Sequence, residues 1–227
     1  MSSSHLTTIQ AIRERARRHI EDGAVTPSYG CDREVVLRLL NESLATEIVC
    51  TLRYKRHYYM AQGMHSEGVA AEFLEHATTE AAHADRIAAR IVQLGGAPNF
   101  SPDGLSGRSH AEYIEGDTLR EMIAEDLIAE RIAIESYGEM IRYIGDGDST
   151  TRTMLEEILA TEEEHADDMS NLLSGVDDTR PSSRESGITP AKRQNGPAVS
   201  AVPDGASRTA APNPAAASGV GKLGKGE

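Results

Sequence analysis

Cysteine is scarce in this sequence, basic residues are in deficit, and long apolar runs are missing. The two cysteines, Cys31 and Cys50, stand at a spacing that matches neither a disulfide framework nor a zinc ligand pair, so both read as buried or half-buried thiols rather than redox groups. Lysine and arginine number 23 against 36 aspartates and glutamates, which disfavours a protein whose main business is neutralising phosphates and suits one that attracts cations. No apolar stretch is long enough to span a bilayer, and "MSSSHLTTIQAIRERARRHIEDG" has no signal-peptide core. The expectation is a cytoplasmic protein without a membrane partner. A chain of 227 residues can bury a sizeable core.

Apolar residues recur at helical spacing from about Asp32, at Val35, Val36, Leu39, Leu40, Leu44, Ile48 and Leu52, until Gly63 ends the run. A second periodic stretch runs from about Glu67 to Leu94 and stops at Gly95-Gly96. The segment "GGAPNFSPDGLSGRSHAEYIEGD" is long enough for a crossover and has room for one short helix near Ser109 to Ile114. A third helix is expected from about Thr118 to Ile144. A fourth, opened by Ser149 or Thr150, is expected to end near Leu173. The reading is all-α: residues 32–174 form a four-helix bundle with one long crossover. Residues 1–31 form an extension with an amphipathic, Arg-rich helix over 7–22. Residues 175–227, with six of the nine prolines and no aromatic residue, are expected to be a disordered tail.

Within this frame "EAAHAD" (Glu80 to Asp85) and "EEEHAD" (Glu162 to Asp167) repeat one pattern. Eight histidines give about one Glu-x-x-His by accident, so one copy carries little information and two in identical frames carry more. Residues i and i+3 share a helix face, so Glu80 with His83, and Glu162 with His165, each present a carboxylate and an imidazole in one direction. The repeat extends to the partner helices, where Tyr54 follows Glu47 by seven residues and Tyr137 follows Glu130 by seven. Glu47 precedes Glu80 by 33 residues and Glu130 precedes Glu162 by 32, which suits antiparallel helices whose midpoints face each other. Four carboxylates and two imidazoles should meet at mid-height. Such a cluster repels itself and loses hydration unless cations join it. Oxygen-rich ligation with one imidazole per metal suits iron or manganese better than structural zinc or magnesium.

The set Glu47, Glu80-x-x-His83, Glu130 and Glu162-x-x-His165 resembles the dinuclear pattern of the ferritin-like superfamily, and "LNESLATEIVCTLRY", "AAHADRIAARIVQLGGAPNF" and "MIAEDLIAERIAIESYGEMIRYI" look most like bacterioferritin. The resemblance covers residues 32–174. It implies that Glu80 and Glu162 bridge two iron ions, with manganese as the other candidate, that Glu47 and His83 complete one coordination sphere, and that Glu130 and His165 complete the other. It implies a ferroxidase that oxidises ferrous iron with oxygen or hydrogen peroxide for storage and detoxification inside a shell of like subunits. Tyr54 matches the family's tyrosine beside the centre, an electron donor, and Asp126 matches a carboxylate that holds a ligand histidine. Ala81 stands where bacterioferritin has its haem-ligating methionine, so no haem bound in that manner is expected. The longer middle segment resembles the crossover of DNA-protecting mini-ferritins. The short fifth helix that closes the family's shell has no counterpart in the Pro-rich tail, which leaves a dimer or a hollow shell as the homo-oligomer.

The remaining polar residues read more plainly. His57, His65, His76 and His110 have no paired spacing and are taken as surface residues. Asp85 and Asp167 point well away from their histidines and are taken as solvated charges. "RYKRHYYM" is an aromatic inner face with a basic rim. Glu67, Glu72 and Glu75 form an acidic stripe, by default a solvated face and otherwise a guide for iron. Two rival functions stay open. One is peroxide disposal at the same site, as in manganese catalase or the diiron half of rubrerythrin, although the cysteine pairs of a rubredoxin module are missing. The other is a binding or cargo protein whose tail docks it to DNA or to an encapsulin shell.

Overall fold

The structure, a computed structural model, describes residues 6–63 and 66–176. The tail expected over 175–227 lies outside the described residues from position 177 onward, as does His65. Among the described residues every regular element is helical: α1 (Ile9–Arg15), α2 (Arg33–Met60), α3 (Ser66–Gln93), α4 (Leu105–Arg108), α5 (Leu119–Ile144) and α6 (Ser149–Gly175).

Helices α2, α5 and α6 start where short polar side chains satisfy their first amide groups. Asp32 accepts from the amides of Glu34 and Val35 at the head of α2. Thr118 and Glu121 close a reciprocal capping box on α5. Each such cap is worth about 1 kcal/mol. At α6 the cap is Asp148, which accepts from the Thr151 amide, rather than Ser149 or Thr150 as the sequence suggests, because the helix already includes Ser149 and Thr150 in its first turn.

α2 packs on α3 and α5 on α6, while α2 also meets α5 and α3 meets α6, so two helical hairpins close a four-helix bundle. Residues 94–118 run from the end of α3 to the head of α5 and carry α4, which lies against α2. The crossover helix was expected at Ser109 to Ile114 but forms four residues earlier, opened by Gly104 at φ 68°, a left-handed conformation that glycine adopts without strain.

α1 is seven residues long, and a 3-10 turn at Ile20–Asp22 follows it, so the continuous helix expected over 7–22 does not form. No residue of α1 is buried, so no tertiary contact extends it past its own marginal propensity, and His19 at φ 52° interrupts it. The extension is anchored further along instead. The Tyr29 hydroxyl donates to Asp148 at 2.9 Å, and the Gly30 amide donates to the Gly147 carbonyl at 3.1 Å.

The apolar core has two large clusters, one around Leu40, Leu44, Ile87, Ile91, Met140 and Leu155, the other around Phe73, Val69, Met122, Ile123 and Met169, and a small third of Cys50, Ala111 and Ala129. A belt of buried carboxylates and histidines lies between the two large clusters.

Candidate metal centre

Each of the four long helices contributes one buried glutamate to this belt: Glu47 from α2, Glu80 from α3, Glu130 from α5 and Glu162 from α6, each only 1% exposed. α3 and α6 add His83 and His165, one helical turn beyond their glutamates. His83 Nδ1 stands 2.8 Å from Glu162, 3.6 Å from Glu47 and 3.9 Å from Glu80. His165 Nδ1 stands 3.2 Å from Glu80, 3.6 Å from Glu162 and 4.0 Å from Glu130. The ligand atoms of Glu47, Glu80, His83 and Glu162 lie within 4.8 Å of one another, and so do those of Glu80, Glu130, Glu162 and His165. Glu80 and Glu162 belong to both groups. All six residues read from the sequence as ligands therefore converge.

The electrostatics of the cluster fit a pair of cations. Glu47 Oε2, His83 Nδ1 and both carboxylate oxygens of Glu162 are buried without a hydrogen-bond partner among the described residues, which is costly for groups of this polarity unless something else satisfies them. Burial, followed by repulsion from Glu162, Glu47 and Glu130, pushes the Glu80 carboxyl well above its ordinary value. Burial and then Glu162 do the same to Glu130, and burial and then Glu47 raise Glu162. For Glu47, the adjoining Glu80 carboxyl, the His83 imidazole and the Tyr137 hydroxyl outweigh burial and lower the pKa. Burial works against the charged form of His83, but the carboxylates of Glu162 and Glu47 overcome it and hold the imidazole at about 9. His165 moves the other way, lowered chiefly by burial. Four carboxylates at these distances cannot all ionise without positive charge between them, and oxygen donors with one imidazole per group are the chemistry of iron or manganese.

The two tyrosines of the repeat form a crossed pair: the Tyr54 hydroxyl donates to Glu130 and the Tyr137 hydroxyl donates to Glu47. Burial, then the charge of the acceptor carboxylate, keeps both phenols well above their ordinary pKa and therefore protonated as donors.

Three side chains depart from the sequence reading. Asp126 is fully buried as a charged group should be only when paired, but its oxygens accept from Arg53 Nε at 2.8 Å and meet His57 Nδ1 at 2.7 Å, so it orients neither His83 nor His165. Arg53 and His57 go on to the carbonyls of Glu112 and Glu115, so the expected support of a ligand histidine is replaced by a clamp on the crossover. His57 is buried rather than on the surface. His76 is buried too: its ring stacks on His165 with centroids 3.8 Å apart, Nδ1 lies 3.2 Å from the Tyr54 hydroxyl, and burial lowers its pKa to about 3. A signal for His76 was available, because Glu72, His76 and Glu80 follow one another at four-residue intervals and so share one face of α3.

The ferritin-like domain family matches residues 37–178. The bacterioferritin of Mycobacterium avium is 34% identical over 143 residues, which cover 63% of this chain and 86% of the relative. Among solved structures, the bacterioferritin of Mycobacterium tuberculosis aligns with a TM-score of 0.55 at 33% identity, over 62% of this chain and 84% of that one. A dodecameric thioferritin, the bacterioferritin-related protein of Bacteroides fragilis, aligns with a TM-score of 0.62 at 29% identity, over 64% of this chain and 88% of that one.

Proposed function

We propose, from the premise that this chain belongs to the ferritin-like domain family, that it is an iron-storage protein of bacterioferritin type whose bundle oxidises ferrous iron. The observation that carries the reading is the pair of ligand groups sharing Glu80 and Glu162. Glu47, Glu80, His83 and Glu162 would hold one iron ion, and Glu80, Glu130, Glu162 and His165 the other, with Glu80 and Glu162 common to both. A bound pair supplies a two-electron change toward oxygen or peroxide.

The protein's own part is to assemble and orient the donors. Buried carboxylates that repel one another bind divalent iron in exchange for protons, since Glu80 and Glu130 hold theirs strongly in its absence. Tyr137 and Tyr54 each occupy one oxygen of Glu47 and Glu130, which fixes the direction of the other oxygen. Tyr54, buried and donating directly to Glu130, would be the side chain at hand to supply an electron to a bound metal pair, with Glu130 there to hold its hydroxyl proton. The assembly proposed is a homo-oligomer, in line with the likeness to a dodecameric relative. The likeness to bacterioferritin favours iron over manganese.

Replacing Glu80 by Ala removes a carboxylate common to both groups. Oxygen-dependent Fe(II) oxidation, followed by the rise of ferric absorbance, should fall to the protein-free rate while the helical circular dichroism persists. Wild-type rates in that variant would refute the assignment. Oxygen evolution from peroxide without stoichiometric consumption of iron would favour the catalase-like alternative.

A further inference from the structure

We propose that Glu72, His76 and Asp168 form a third site, for a single divalent transition metal ion, at one end of the dinuclear cluster. His76 Nε2 points between two carboxylates, with Glu72 Oε1 at 3.6 Å and Asp168 Oδ2 at 3.7 Å. All three ligand atoms lie within 4.8 Å of one another. The two separations from Nε2 exceed a hydrogen bond. They are close to what a shared ion sets: two donors each about 2.1 Å from one metal stand about 3.4 Å apart at a tetrahedral angle.

The hydrogen-bond network decides which atom of His76 carries the proton. With Glu130 ionised, the one hydrogen of the Tyr54 hydroxyl goes to it, so the same oxygen accepts from His76 Nδ1. That fixes the proton on Nδ1 and leaves the lone pair on Nε2. Nε2 and the two carboxylate oxygens then face one another as three acceptors with no donor among them. His76 is 2% exposed as a residue, and among the described residues Nε2 makes no hydrogen bond. A cation satisfies all three at once.

The surroundings favour one end of the cluster over the other. The Glu72 and Asp168 side chains are 34% and 49% exposed, whereas His76 is buried against His165, so the three donors span the distance from solvent to the cluster. The offset that carries Glu80 onto Glu162 carries Glu72 onto Met154 and His76 onto Ile158, and it carries Arg86 onto Asp168. The same place at the other end of the bundle thus offers a thioether, a hydrocarbon and a cation, which hold no divalent ion. Binding at the third site does not depend on the ferroxidase reading; an assignment of its ion as iron bound for the centre would.

The test is anaerobic titration of the full chain with cobalt(II), followed by visible absorption and by anomalous diffraction at the cobalt edge. Wild-type protein should bind three equivalents, one of them on His76 Nε2. The Glu72→Gln/Asp168→Asn variant should bind two. This pair of exposed substitutions leaves His76, and with it the packing on His165, in place. Three equivalents in the variant, or no anomalous peak on His76 in the wild type, would overturn the proposal. Cobalt found on His76 in the wild type and lost in the variant, with none between Glu80 and Glu162 in either protein, would uphold this site and remove the ferroxidase reading instead.

Discussion

The two halves of the bundle are internal copies at the centre and unlike one another at the ends. Glu47 and Glu130, Glu80 and Glu162, His83 and His165, Tyr54 and Tyr137 are related pairwise by the repeat, and the crossed hydrogen bonds Tyr54 to Glu130 and Tyr137 to Glu47 preserve that relation in space. One turn away it fails. Arg53, His57 and Asp126 form a buried charged network, whereas the residues at the corresponding places of the other half are Ser136, Met140 and Ser43, with the Ser43 hydroxyl donating to the Met140 sulfur at 3.2 Å. The end that holds the Arg53, His57 and Asp126 network is also the end that carries Glu72, His76 and Asp168, while the opposite end has its own pair, Arg90 on the buried Asp148 at 2.8 Å. Duplicated glutamates and histidines make the buried cluster nearly symmetric. The difference between the ends gives it a direction.

The difference between the ends should show most strongly in stability. Asp126→Ala leaves Arg53 buried without its carboxylate and should cost about 3–5 kcal/mol, whereas Ser43→Ala removes one neutral hydrogen bond and should cost about 1 kcal/mol. Urea unfolding of the two variants measures this, and equal costs would mean that the charged network does not distinguish the ends.

The tyrosines test the symmetry of the centre. Tyr54→Phe and Tyr137→Phe each remove one donor to a buried carboxylate and should destabilise the metal-loaded protein by a similar amount, about 1.5–3 kcal/mol. Their effect on iron oxidation should differ. Tyr54 also contacts His76, so Tyr54→Phe should slow stopped-flow Fe(II) oxidation more than Tyr137→Phe.

The smallest effect concerns pH and separates the two histidines. His83 is held at about 9 in the folded, metal-free chain against an ordinary 6.5, so its stabilising contribution is complete below 6.5 and disappears as pH rises through 9. Glu80, Glu130 and Glu162, raised from 4.5, act in the same direction. His165 is lowered, so its contribution is present above 6.5 and is lost on acidification. Metal-free wild type should therefore melt at lower temperature at pH 9 than at pH 6.5. His83→Gln should flatten that dependence and His165→Gln should not. Added metal should raise the melting temperature more at the higher pH, because it replaces the protons.

Much of the site was legible from local pattern. Glu80 and His83, or Glu162 and His165, are three residues apart on one helix, and a helix has only one way to display that spacing. The boundaries of α2, α3 and α5 followed from Asp32, Gly95 and Thr118 for the same reason. The clamp of Asp126 on Arg53 and His57 was not legible, because its partners are 73 and 69 residues apart and no periodicity links them. The position of α4 and the brevity of α1 also escaped, since both depend on what the segment touches rather than on its own propensity.

By itself the sequence determined the helices and their duplicated ligand faces, because hydrogen bonding and the 3.6-residue turn act between neighbours in the chain. Only the tertiary structure decided which carboxylates face which histidines, which histidines are buried, and which partners Asp126 takes. Those outcomes are set by contacts between helices, where burial strips water from a polar group and leaves its ionisation, its proton and its partner to whatever side chain the fold brings alongside.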